Sequence, residues 1–175
     1  RSLLLAYAES GRLSVAKDVI DFLGADMIFS GPGSDSVADA VRAMALTEMD
    51  RAEEAMSLLD ALESSKRRQR LPVVGYAAAR IAIYNRQYRQ ALERLEQALE
   101  VERMPAGARR DLEMLRAACL AHLGRAQDAT SALAQLAQGG FRRDVESMTE
   151  LAHEQGDVCV ALAGRSALEY GAPYR

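Results

Sequence analysis

The sequence predicts an all-α protein, about ten helices in five pairs, stacked as a helical-hairpin solenoid. Three observations predict it. The 175 residues include 32 alanines, only 5% aromatic residues and no Trp, so a core must come from small and aliphatic side chains that favour helix. Apolar residues recur at spacings of three and four, and strand-like alternation is nearly absent. A short turn followed by a small residue returns along the chain at a drifting interval in the thirties.

The periodic runs place helices at 2–10, 13–24, 36–49, 51–64, 71–85, 88–102, 107–123, 126–138, 142–155 and 157–170. Gly11 separates the first two. Ser30-Gly31-Pro32-Gly33-Ser34 forms a loop, because Gly admits positive φ and Pro cannot continue a helix. Ser36, with Asp39 three residues on, is a start signal for the third helix. Pro72 suits the first turn of the fifth. Pro105-Ala106-Gly107 divides the sixth from the seventh. Gly124, Gly139-Gly140 and Gly156 close the seventh, eighth and ninth. The stretches 25–35 and 63–71 are long for connections inside a regular array.

The pairs resemble one another. Gly11-Arg12-Leu13-Ser14-Val15-Ala16, Gly124-Arg125-Ala126-Gln127-Asp128-Ala129 and Gly156-Asp157-Val158-Cys159-Val160-Ala161 align on glycine and alanine. Arg51-Ala52-Glu53-Glu54-Ala55 and Gln87-Tyr88-Arg89-Gln90-Ala91 keep the alanine without the glycine. The strongest copy is Tyr88–Val101, in which an aromatic precedes Ala91, Leu95 and Ala98. In these residues the chain resembles the tetratricopeptide repeat family. The corresponding trios are Ala16, Ile20 and Leu23; Ala55, Leu59 and Leu62; and Ala129, Leu133 and Leu136. In the last pair the trio is Ala161, Arg165 and Leu168, where Arg165 departs from the pattern. The first helices also depart: the family's Trp is absent, and its Leu-Gly step reads Ala78-Ala79, Arg116-Ala117 or Met148-Thr149. The whole chain is read as one such repeat domain, 1–175, with pairs near 1–24, 36–64, 71–102, 107–138 and 142–170, and as a processed product or a piece of a longer protein.

Chemistry-bearing residues are sparse. The net charge of −3 disfavours a general nucleic-acid surface. No apolar run approaches the roughly 18 residues that span a membrane. Cys119 and Cys159 are too few for a disulfide framework or a four-ligand zinc site by themselves. Cys119 and His122 share a helix face but lack a second ligand pair nearby, and His153 and Cys159 fall in another repeat. A buried Cys beside a half-exposed His accounts for them, so neither a metal, a cofactor nor a catalytic dyad is expected. The Ser30–Ser36 segment lacks the Lys of a phosphate loop. Lys66-Arg67-Arg68-Gln69-Arg70 reads as a solvated linker, and Arg109-Arg110 and Arg142-Arg143 as exposed charges near helix starts. Glu53, Glu54, Glu93, Glu96 and Glu100 have Arg neighbours at helical spacing, as surface pairs do. No constellation asks for an enzyme.

The resemblance implies a right-handed solenoid in which the first helix of each pair lines a concave face. The partner-binding residues are then Tyr76, Arg80 and Tyr84, with Met44 and Thr47 before them and Met114, Ala118 and His122 after. Tyr and Arg anchor partners, and Met adapts to them. The Lys/Asn clamp by which some tetratricopeptide domains hold a carboxylate terminus is absent, since its places hold Val41, Met44, Tyr76, Ala77 and Arg80. The resulting expectation is a non-enzymatic module that holds a peptide or partner protein, with no nucleic acid and no membrane insertion. By analogy it is a bacterial secretion or pilus-assembly chaperone or a scaffold, in cytoplasm or periplasm. The alternative is a sensor or regulatory repeat domain of a larger enzyme or transcription factor. A truncated array exposes an apolar end face, suited to a homodimer through repeat ends.

Overall fold

The structure, a computed structural model, describes residues 36–48, 51–64, 72–102 and 104–170. These residues contain no strand. Their helices are α1 (Ser36–Glu48), α2 (Ala52–Glu63), α3 (Pro72–Tyr84), α4 (Tyr88–Leu99), α5 (Ala106–His122), α6 (Ala126–Leu136), α7 (Arg142–Glu154) and α8 (Val158–Tyr170). They correspond to the third through tenth helices expected from sequence. The first two expected helices, Ala16 with its trio, the 25–35 loop and the Lys66–Arg70 run lie outside the described residues.

The chain divides inside α5 into two compact units, Arg1–Leu112 and Glu113–Arg175. In the first, α1 pairs with α2 and α3 with α4, while both α1 and α2 pack on α3. α3 is its central helix. Every residue from Val73 to Ala79 is buried, as are Ile81 and Ala82, which fits a helix without a polar face. α4 shows the contrasting pattern: Ala91, Leu92, Leu95 and Ala98 are buried, and Arg89, Gln90, Glu93, Glu96 and Gln97 are exposed. At the α3–α4 contact the backbones approach closely. A Cβ placed on Gly75 would fall on the Cβ of Ala98.

In the second unit α8 packs against both α7 and α6. α6 runs through Ala137–Phe141 into α7, and the chain turns at Gly140, whose φ of 97° lies in the left-handed region. Gly164 on α8 meets Thr149 on α7 so closely that a Cβ there would overlap the threonine side chain. Thr149 is held by its own hydroxyl, which donates to the Val145 carbonyl at 2.6 Å. α8 buries Val160, Ala161, Ala163, Gly164 and Ala167, whereas Arg165 is exposed. The break in the last trio therefore marks a helix that packs on a shifted stripe.

Four hairpin turns are closed by the same pair of backbone hydrogen bonds. The N–H groups of Arg51, Gln87, Arg125 and Asp157 each donate to the carbonyl five residues back, at 2.9, 2.8, 2.9 and 2.8 Å. Four residues later the N–H groups of Ala55, Ala91, Ala129 and Ala161 donate to those same residues' carbonyls. All four alanines are buried. In three of these turns the residue immediately before the closing one has positive φ: Arg86 (58°), Gly124 (77°) and Gly156 (74°). The glycine of the sequence repeat is a conformational requirement, which Arg86 meets at the expense of a Cβ in a left-handed position.

Candidate functional site

The expected binding stripe does not lie uniformly at the surface. Tyr76 is 5% exposed, and Met44 and Thr47 are each 3% exposed. Thr47 further satisfies its hydroxyl internally by donating to the Ala43 carbonyl at 2.9 Å. All three are packing residues of the first unit: Tyr76 lies on the enclosed α3, and Met44 and Thr47 are buried on α1, which packs against α3. Arg80 is half-buried, and Tyr84 emerges at the end of α3 with 46% exposure. In the second unit, taken by itself, Met114, Ala118 and His122 are half-buried on α5.

Beside the end of α3 lies an open crease between α2, α3 and α4. Met56, Asp60, Asn85, Gln90 and Arg94 line it, over a floor of Leu59, Ala78, Ile81 and Ala82. Met56 is 44% exposed. The Asn85 amide, one residue past Tyr84, reaches its sulfur at 4.0 Å. α2 and α4 both pack on α3, and the crease is lined by residues of all three helices. Met56 is absent from the sequence-derived stripe because it sits on a second helix, outside the face assigned to binding. Its flexible apolar side chain sits beside amides, a carboxylate and a guanidinium.

Several charged residues have structural partners. Arg51 grips Glu54 through two hydrogen bonds, Nε to Oε1 at 2.8 Å and the second nitrogen to Oε2 at 2.9 Å. The Arg51 hydrogen bond holds the exposed Glu54 carboxyl below its ordinary range. Arg109 donates to the Val101 carbonyl at 3.2 Å. Arg110 pairs with the buried Asp111, Nε to Oδ1 at 2.8 Å. Arg142 pairs with Glu146 at 3.0 Å.

Comparison with family models, curated proteins and solved structures gives no match. What the residues can do is therefore read from their placement. Cys119 and His122 do not form a pair that faces solvent: Cys119 is fully buried, and burial pushes its thiol up to about 12. His122 turns instead to Asp157, Nε2 to Oδ2 at 2.9 Å. That contact joins residues 35 positions apart, so no local spacing could announce it.

Proposed function

We propose that the chain is a non-enzymatic repeat scaffold of tetratricopeptide type that holds an extended or helical segment of a partner protein. On this reading consecutive hairpins stack into a solenoid, and the partner segment seats at the open end of α3. The observation that carries it is the crease lined by exposed Met56 and by Asn85, with exposed Tyr84 one residue before Asn85 in the chain. Tyr84 and Met56 provide apolar contact, while Asn85, Gln90, Asp60 and Arg94 supply donors and acceptors for a peptide backbone. The repeated turn supports the repeat reading independently, because identical closures at Arg51, Gln87, Arg125 and Asp157 follow from one local rule used four times. Val158 and Leu162, exposed four residues apart on α8, offer a separate apolar stripe for assembly. No helix among the described residues is long and apolar enough to cross a membrane.

The test is selection of peptides from a displayed random library on the purified chain. Tyr84→Ala and Met56→Ala should each weaken the selected peptides at least about tenfold, as expected for anchor residues at a protein interface. Helical circular dichroism should stay unchanged, since each side chain is nearly half exposed. Selected peptides that bind both variants as they bind the parent chain would place the binding surface elsewhere.

A further inference from the structure

The meeting point of α5 and α8 carries a second proposal, independent of the crease. His122 ends α5, Asp157 immediately precedes α8, and Cys159 is the second residue of α8. One ligand atom from each of the three lies within 4.8 Å of the other two. His122 and Asp157 are half-buried and Cys159 is exposed. We propose that His122, Asp157 and Cys159 form a zinc site, with imidazole nitrogen, carboxylate oxygen and thiolate as ligands and the fourth position open to water.

The donor set fits the metal. Imidazole, carboxylate and thiolate together suit tetrahedral Zn²⁺, and a purely oxygen-seeking ion would have no use for the cysteine. The geometry is within reach of side-chain motion. Around tetrahedral zinc the nitrogen and the oxygen stand ~3.3 Å apart, and sulfur lies ~3.6 Å from either. His122 and Asp157 therefore open slightly from 2.9 Å, and Cys159, on the exposed side, turns inward. Asp157 is already oriented for the task. Its Oδ1 accepts the Val160 N–H at 3.2 Å as the cap of α8, and Oδ2 is directed at His122. A carboxylate fixed through one oxygen and offered through the other is a usual support for a metal ligand. Binding is charge-balanced: the Cys159 thiol gives its proton to solvent, His122 exchanges its Nε2 proton for one on Nδ1 so that Nε2 can ligate, and thiolate plus carboxylate neutralise the dication. The occupied site would clip the end of α5 to the start of α8, two elements 35 residues apart in sequence.

Cobalt(II) titration of the full chain tests the site, because Co²⁺ reports tetrahedral thiolate ligation by its colour. The expected result is one equivalent bound, with tetrahedral visible bands and a near-ultraviolet thiolate-to-cobalt band, all erased by stoichiometric Zn²⁺. Cys159→Ser should abolish the thiolate band, while Cys119→Ser leaves it intact. Asp157→Asn retains a good helix cap, so it should keep the fold while weakening cobalt at least about tenfold. A native-like circular dichroism spectrum confirms folding of each variant. A folded parent chain without the cobalt spectrum, or a thiolate band that survives Cys159→Ser, would overturn the proposal.

Discussion

Replacing Gly75 with Ala should destabilise the protein, although glycine inside a helix is ordinarily the weaker choice. Helix preference alone favours Ala by about 1 kcal/mol. Against that stands the contact with α4. The new Cβ would overlap the Cβ of Ala98, with the Ala98 Cα at 3.6 Å and the Arg94 carbonyl at 3.7 Å behind it. None of these atoms can rotate away, so the two helices must separate. Overpacking of this kind costs about 1–3 kcal/mol, and rigid neighbours push towards the upper end. The net loss is then about 1–2 kcal/mol, which is measurable by urea unfolding followed at a helical wavelength. Ala98→Gly alone should lose about 1 kcal/mol of helix preference plus the burial of one methyl, about 0.8 kcal/mol. In the double variant the preference terms cancel and the close approach is restored with the methyl on the other helix. Its stability should exceed the sum of the single changes by about 1–3 kcal/mol. A stabilising Gly75→Ala, or coupling under about 0.5 kcal/mol, would refute the close α3–α4 contact.

Two other outcomes follow from the same structure. Arg86 occupies a left-handed position where the matched turns carry Gly124 and Gly156. Arg86→Gly should therefore raise stability by up to about 1 kcal/mol, while Gly124→Ala or Gly156→Ala lowers it by about 1–2 kcal/mol, read by thermal unfolding. Cys119, whose thiol moves from an ordinary value of 9.0 to about 12 on burial, keeps its proton in the folded state while the unfolded chain releases it. Its contribution is complete below pH 9 and is lost as pH rises from there towards 12. Cys119→Ala should accordingly flatten the alkaline fall in stability, and a thiol reagent at pH 8 should modify Cys159 rapidly but Cys119 only on unfolding.

Much of the helix pattern was legible because its signals are local. Periodicity located α1 through α8, and the small residue after each turn identified Ala55, Ala91, Ala129 and Ala161, all buried. The same reasoning was less able to decide which faces stay open. Tyr76, Arg80 and Tyr84 do share a helix face, but a spacing of four does not say whether neighbours cover it. The run Val73-Val74-Gly75-Tyr76-Ala77-Ala78-Ala79 held the missing signal: seven consecutive residues without a charge describe an enclosed helix. Arg165 held another, since a charge at a core register implied a rotated packing stripe in α8. The strain at Arg86 was hidden because only glycine announces positive φ. The approach of His122 to Asp157 and Cys159 needed the fold itself, as it depends on where α5 ends relative to α8 in space.

Among the described residues one turn closure recurs four times along the chain. Residue-resolved amide hydrogen exchange measures it most directly at Arg51, Gln87, Arg125 and Asp157, each of whose N–H groups donates to a carbonyl five residues earlier. The predicted result is slowed exchange at all four positions under native conditions, each as protected as the alanine four residues later. Exchange at unprotected rates at two or more of them, with helical content intact, would contradict the repeated hairpin.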